Sequence, residues 1–240
     1  MPCPPASIVS TPTAPQSRFV TPSGTAVLDH TAALAHLQQG DPVLAQIMSR
    51  CGPCMLQPRA LEPFVMLCRS IIYQQLSGKA AGTIMTRFLA LYAPHTVQPA
   101  TLLASPDETL RGIGLSRQKL TYLKDLAARV HDGTVRLDTL AAQSDEDIIR
   151  HLTCVKGIGR WTAEMFLLFS LGRPDVFPVD DLGIRKAIQR AYGYKREPAP
   201  ATMQRHARKW RPYRSVATWY LWRSLDPVNS TPFQEAPTQT

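Results

Sequence analysis

Along most of the chain, apolar side chains return every three to four positions, the spacing that gathers them on one face of a helix. Nowhere do apolar and polar residues alternate convincingly, as they would in a half-buried strand. The pattern predicts helices over 26–39, 42–50, 61–74, 78–93, 107–111 and 116–131. Further helices are predicted over 137–143, 145–154, 161–171, 181–191, 202–209 and 213–224. Ser77, Ser116 and Ser144 stand where N-caps are needed, and Gly133 where a C-cap is. Residues 1–24 are rich in Pro, Ser and Thr with little to bury, and 227–240 are similar, so both read as disordered tails. The fold class expected for 25–226 is all-α.

One interruption stands out. The residues before Val155 suit a helix, Gly157 and Gly159 break it, and an apolar-rich helix resumes at Trp161. A glycine on each side of Ile158 allows a tight turn without Cβ clashes and leaves amide N–H groups facing outward. The positive end of the following helix points the same way, which makes the segment a phosphate-binding device. Downstream, Asp180 and Asp181 sit where another helix would start. Alone, such a pair reads as simple helix capping.

Composition narrows the partner. A formal net charge of +9 and a pI near 9.6 favour a polyanion such as nucleic acid, although many basic soluble proteins have no such partner. The densest basic stretch runs from Arg185 to Arg223 and would attract phosphates without regard to sequence. No apolar run is long enough to span a bilayer and the first residues do not form a secretory signal, so the cytoplasm is the expected location. With 240 residues the chain can bury a sizeable core in one large or two small domains. Cys3, Cys51, Cys54, Cys68 and Cys154 are too few and scattered for a disulfide framework. Cys51-Gly-Pro-Cys54 spells a thioredoxin-type motif, but no strand precedes it and no βαβ unit surrounds it, so it reads as a turn with incidental thiols.

The string Val155-Lys156-Gly157-Ile158-Gly159-Arg160-Trp161-Thr162-Ala163, followed by Pro178-Val179-Asp180-Asp181, resembles the helix-hairpin-helix-Gly/Pro-Asp superfamily of DNA glycosylases. Within it the chain is most similar to the 3-methyladenine DNA glycosylase II branch, from about Leu28 to Asp226. The resemblance implies two helical subdomains flanking a cleft, one from about 76–177, the other from 25–75 plus 178–226. It also implies the compact form, without the β-rich N-terminal domain of some bacterial relatives.

The implied activity is base excision from double-stranded DNA by a monomer without a cofactor. The enzyme would flip out an alkylated purine of the 3-methyladenine or 7-methylguanine class and hydrolyse its N-glycosidic bond. Asp181, with Asp180 as the alternative, would stabilise the oxocarbenium-like sugar and direct the attacking water. Asp180 would otherwise cap the next helix. Bifunctional members carry a Schiff-base lysine where this chain has Trp161, so a monofunctional enzyme without strand cleavage is implied. Lys156 lies on the wrong side of the turn for that role.

An electron-rich indole suits a cationic base. Trp161 and Trp222 would wall the base pocket with Met165, where relatives sometimes carry tyrosine, and Tyr73, while Tyr213 is a further aromatic candidate. Leu76, with Gln75 beside it, maps onto the wedge that fills the vacated stack. Val155, Gly157, Gly159, Arg160, Thr162 and Lys79 would meet phosphates, and a monovalent cation at the hairpin backbone stays open. The turn at Gly112 and Gly114 would place Arg117 and Lys119 near a phosphate or simply join two helices. Arg214 and Ser215 match a family pattern that reads as structural. No four-cysteine cluster follows Asp181, so no iron–sulfur cluster is expected. The competing readings are a glycosylase of the same fold for oxidised or mismatched bases, a non-enzymatic DNA-binding module, and a thiol oxidoreductase using Cys51 and Cys54.

Overall fold

The computed structural model describes residues 18–20, 26–28 and 30–226. Most of the expected tail 1–24 and all of 227–240 lie outside the described residues. The exception corrects the reading of the N-terminus. Strands β1 (Arg18–Val20) and β2 (Ala26–Leu28) form a short antiparallel ladder pairing Phe19 with Val27. The first helix therefore begins at Thr31, not at residue 26. Phe19-Val20 and Val27-Leu28 either side of Pro22 and Gly24 are a hairpin signal that the helical reading of 26–39 overrode.

All other described elements are helical. They are α1 (Thr31–Gly40), α2 (Pro42–Cys51), α3 (Pro63–Tyr73), α4 (Gly78–Ala90), α5 (Pro99–Ala104) and α6 (Asp107–Gly112). After them come α7 (Arg117–His131), a 3₁₀ turn (Leu137–Ala142), α8 (Asp145–Leu152) and α9 (Arg160–Phe169). The last are α10 (Leu182–Ala191), α11 (Pro200–His206), a second 3₁₀ turn (Ala207–Trp210) and α12 (Arg214–Arg223). The hydroxyls of Ser77, Ser116 and Ser144 each accept a hydrogen bond from the N–H three residues on, opening α4, α7 and α8. Gly133 follows α7 in the left-handed conformation, φ +80°. Helix α5 was not expected from the sequence.

The chain divides into two units. The first comprises Ala60–Phe166, where α3 packs on α4 and α7, and α5 on α7. Because α3 buries Phe64, Leu67, Ile71 and Ile72 in this unit, its boundary falls at Ala60 rather than near Leu76, and inside α9 rather than near Phe177. The second unit takes the described residues up to Arg59 and those from Leu167. Its core joins Leu37, Leu44, Ile47, Ile184, Ile188, Met203, Trp210, Ala217 and Leu221.

One buried carboxylate staples the second unit. Asp41, only 1% exposed, caps α2 with Oδ1, which accepts from the N–H groups of Val43 and Leu44 at 3.1 and 3.2 Å. Its Oδ2 accepts from the Tyr192 hydroxyl at 2.6 Å and Trp210 Nε1 at 2.8 Å, with Lys209 Nζ at 2.9 Å. Cys51, Cys54 and Cys68 are free thiols. Burial raises the pKa of Cys51 and pushes Cys54 up to about 11, the opposite of a thioredoxin-type nucleophile.

Candidate active site and nucleic-acid interface

The glycine hairpin is built entirely within the first unit. Helix α8 ends at Leu152, whose carbonyl accepts from Val155 N–H at 3.1 Å, and the Val155 carbonyl accepts from Ile158 N–H at 3.1 Å. Val155 and Ile158 are buried and anchor the two turns, while Lys156 and Gly159 stay exposed. Three groups hold the hairpin from below. Lys156 N–H donates to Asp125 Oδ2 at 2.8 Å, and Gln74 Nε2 donates to the Gly157 carbonyl at 2.8 Å. The third is the Tyr122 ring, which lies so close that a Cβ on Gly157 would fall 2.1 Å from it. Gly157 also needs its φ of +81°. A Cβ on Gly159, by contrast, would meet nothing within 4 Å.

The intrahelical ladder of α9 starts with Ala163 N–H donating to the Gly159 carbonyl at 3.0 Å. The first-turn N–H groups lie ahead of that ladder, at the positive end of the helix, and suit an anion approaching over Gly159. Gly157, Gly159 and Thr162 thus sit at the turn and the helix start, with Thr162 itself buried. Val155 differs from expectation, because its N–H is spent on Leu152 and its side chain serves the core.

Arg160 is also committed inside the protein. Its Nη1 donates to Glu146 Oε2 at 3.1 Å and its Nε to the buried Glu164 at 3.1 Å. Lys119 donates to the Ile72 carbonyl at 2.6 Å, with burial lowering its pKa, so it braces the end of α3 instead of reaching a phosphate. Lys79 is exposed in the first turn of α4, and Arg117 is exposed at the start of α7.

Other expected residues cluster locally in the same unit. Trp161 and Met165 are one helical turn apart on α9, the indole 45% exposed. Gln75 and Leu76 form the turn between α3 and α4; Gln75 has φ +57° and Leu76 is 40% exposed. The left-handed backbone at Gln75 and the exposure of Leu76 set this turn apart from the buried end of α3. Tyr73 lies beneath the Arg69 guanidinium, 3.9 Å from its ring centre, so one ring face is already covered. A cavity of about 550 Å³ lined by Leu61, Glu62, Val65, Leu89 and His95 contains none of the expected site residues.

The carboxylates belong to the second unit. Asp181 N–H donates to the Pro178 carbonyl at 3.1 Å, closing a turn that brings Asp181 to the start of α10. Asp181 caps that helix, its Oδ1 accepting from Ile184 N–H at 2.8 Å. The cap is therefore Asp181 and not, as expected, Asp180, which is exposed. The same Oδ1 accepts from Trp222 Nε1 at 2.9 Å. The Trp222 ring stacks on Phe169, with centroids 6.0 Å apart and planes 19° apart. Its N–H edge and one face are therefore occupied.

Arg214 and Ser215 are structural, as expected. Arg214 grips Asp175 through Nε at 2.6 Å and Nη2 at 2.8 Å. Ser215 Oγ accepts from Val176 N–H at 3.0 Å. Sequence reasoning missed Gly183, Phe169, Tyr122, Asp125 and Gln74. Only Gly183 left a signal, a glycine in the first turn of a predicted helix.

The family model described as "HhH-GPD superfamily base excision DNA repair protein" matches residues 68–212. The Bacillus subtilis protein YfjP is 34% identical over 177 residues, which cover 70% of this chain and 62% of that relative. The chain thus spans less than two thirds of that relative's length. The Schizosaccharomyces pombe DNA-3-methyladenine glycosylase 1 is 36% identical over 165 residues, covering 68% of this chain and 72% of that protein. Among solved structures, the S. pombe 3-methyladenine DNA glycosylase Mag1 in complex with abasic DNA has a TM-score of 0.71 at 33% identity, covering 80% of this chain and 96% of that one.

Proposed function

Since the chain belongs to the HhH-GPD superfamily of base excision DNA repair proteins, we propose that it is a monofunctional DNA glycosylase that releases alkylated purines from double-stranded DNA. The observation that carries this reading is the fixed carboxylate of Asp181, held at the start of α10 by two donors in a chain whose hairpin suits a phosphate. Relatives named as 3-methyladenine glycosylases support the substrate class.

In this reading the hairpin grips the backbone while Leu76, on its strained turn, enters the space the flipped nucleotide leaves. Trp161, 45% exposed, would stack on the base; 3-methyladenine and 7-methylguanine carry positive charge and are drawn to an indole. They are also good leaving groups, so the demand falls on the sugar. As the C1′–N bond breaks, positive charge grows on the deoxyribose and the ionised Asp181 opposes it, directing water to C1′. No lysine occupies the Trp161 position, so no Schiff base forms there and the strand stays intact. The enzyme would act where the cell's DNA lies, and no described helix is long and apolar enough to cross a membrane.

A set of duplexes, each bearing one damaged base, tests this, scored for free base and separately for strand breaks. Asp181→Asn should keep duplex affinity and lose base release by at least about 100-fold, the scale for losing one preorganised electrostatic group. Unchanged release by that variant would remove the assignment.

A further inference from the structure

We infer that Trp222 and Gly183 together set the direction of the Asp181 carboxylate, making Trp222 a positioning residue rather than a wall of the base pocket. The inference rests on the glycosylase reading and names what aims its catalytic group. An N-cap aspartate held by one backbone bond is free to exchange that bond for water and swing about its side-chain torsions. Here a second donor fixes it. Trp222 Nε1–H, at 2.9 Å, meets the same Oδ1 that accepts from Ile184 N–H at 2.8 Å. The indole carries its single N–H in the ring plane, so wherever the ring is held, the bond direction follows.

The ring is held firmly. Phe169 stacks on one face at 6.0 Å. Helix α12, which carries Trp222, is tied at its start to the loop that leads to Asp181. Arg214 grips Asp175 at 2.6 and 2.8 Å, Ser215 Oγ accepts from Val176 N–H at 3.0 Å, and Thr218 Oγ1 donates to the Val176 carbonyl at 3.3 Å. Both ends of the Asp181–Trp222 bond therefore hang from one clamp, and a shift in either would be resisted by the other.

Gly183 supplies the room. Its backbone is ordinary helix, so no unusual φ demands glycine. A Cβ there, however, would lie 3.0 Å from Asp181 Oδ1, 3.2 Å from Trp222 Cδ1 and 3.4 Å from Trp222 Nε1. Any side chain would press on the hydrogen bond itself. Glycine is a poor helix former, so fold stability alone would favour alanine in that first turn. The geometry points to a position kept open for the indole.

The test uses the full-length protein under single-turnover conditions on duplexes containing 3-methyladenine or 7-methylguanine, with affinity for an abasic-site duplex and the melting temperature measured alongside. Trp222→Phe keeps the stack and removes only the donor. It should slow base release about 10- to 100-fold, the span a hydrogen bond to a charged group commands, with affinity within about twofold. The loss should be equal for both bases, because the defect lies at the sugar. Gly183→Ala should slow release similarly while its melting temperature holds or rises. Full-rate release by Trp222→Phe and Gly183→Ala overturns the inference, as does a loss confined to one base, which would return Trp222 to the pocket wall. Asp181→Asn run beside them separates the cases. If the parent protein releases no base, the glycosylase reading falls; if Asp181→Asn retains release, Asp181 is not the catalytic group and this inference falls with it. If Asp181→Asn alone fails, only this inference does.

Discussion

At the residue scale, the two hairpin glycines are alike in sequence and opposite in physical cause. Gly157 is imposed by the fold: alanine there would take a left-handed backbone and drive its Cβ into the Tyr122 ring. Those two costs together are on the order of 3 kcal/mol, so Gly157→Ala should melt well below the parent protein. Gly159 is not imposed by the fold, since its Cβ would point into open space. Gly159→Ala should change stability by less than about 1 kcal/mol yet weaken duplex binding, because on the proposed reading a phosphate would approach through that open space. Melting curves and duplex titrations of both variants check this; equal destabilisation, or unchanged binding by Gly159→Ala, would contradict it. The spacing of the glycines was legible in the sequence, but their different reasons were not. Tyr122 and Gln74 are distant in the chain and carry no local sign of meeting Gly157. Likewise two adjacent aspartates look equally able to cap, and only the Pro178–Asp181 turn decides that Asp181 does.

At the element scale, long amphipathic helices such as α7 were readable because burial and capping agree along their whole length. Helix α5 (Pro99–Ala104) escaped although α6 is as short, because α6 carries Asp107 and Glu108 in its first turn and α5 has no such start signal. The 3₁₀ turns fell inside or replaced helices whose spacing they share. What the pattern never displays is a buried polar joint, and Asp41 is one. It ties the start of α2 to Tyr192 at the end of α10 and to the 3₁₀ turn bearing Lys209 and Trp210. Burial alone would raise its pKa, but the donors from Tyr192, Lys209, Trp210 and Leu44 N–H outweigh it and hold the carboxyl below its usual range. A depressed folded pKa contributes stability that is complete above the unfolded value, near 4, and is lost as pH falls through the folded one. The melting temperature should therefore drop as pH is lowered below about 4. Asp41→Asn should melt lower at neutral pH and show a shallower acid decline; an acid decline as steep as that of the parent would assign the effect elsewhere.

At the scale of the whole molecule, a net charge of +9 overstates the charge available to DNA. Several cations of the basic C-terminal stretch already serve carboxylates of their own chain: Lys209 serves Asp41, Arg211 and Arg214 serve Asp175, and Arg223 serves Asp226. Arg160, at the hairpin, is shared by Glu146 and Glu164. Binding should still weaken steeply with salt, because each phosphate neutralised by a lysine or arginine releases condensed counterions and adds about −0.9 to the slope of log K against log salt. With about five such contacts, raising salt from about 50 to about 200 mM would cost roughly 500-fold in affinity. Lys209→Ala gives the internal control. Since its ammonium compensates a buried carboxylate, removing it should lower the melting temperature and leave the salt slope of the folded protein unchanged. A flat slope in the parent protein would mean that the basic stretch does not meet DNA. A slope reduced by about one in Lys209→Ala would mean that the lysine exchanges Asp41 for a phosphate on binding.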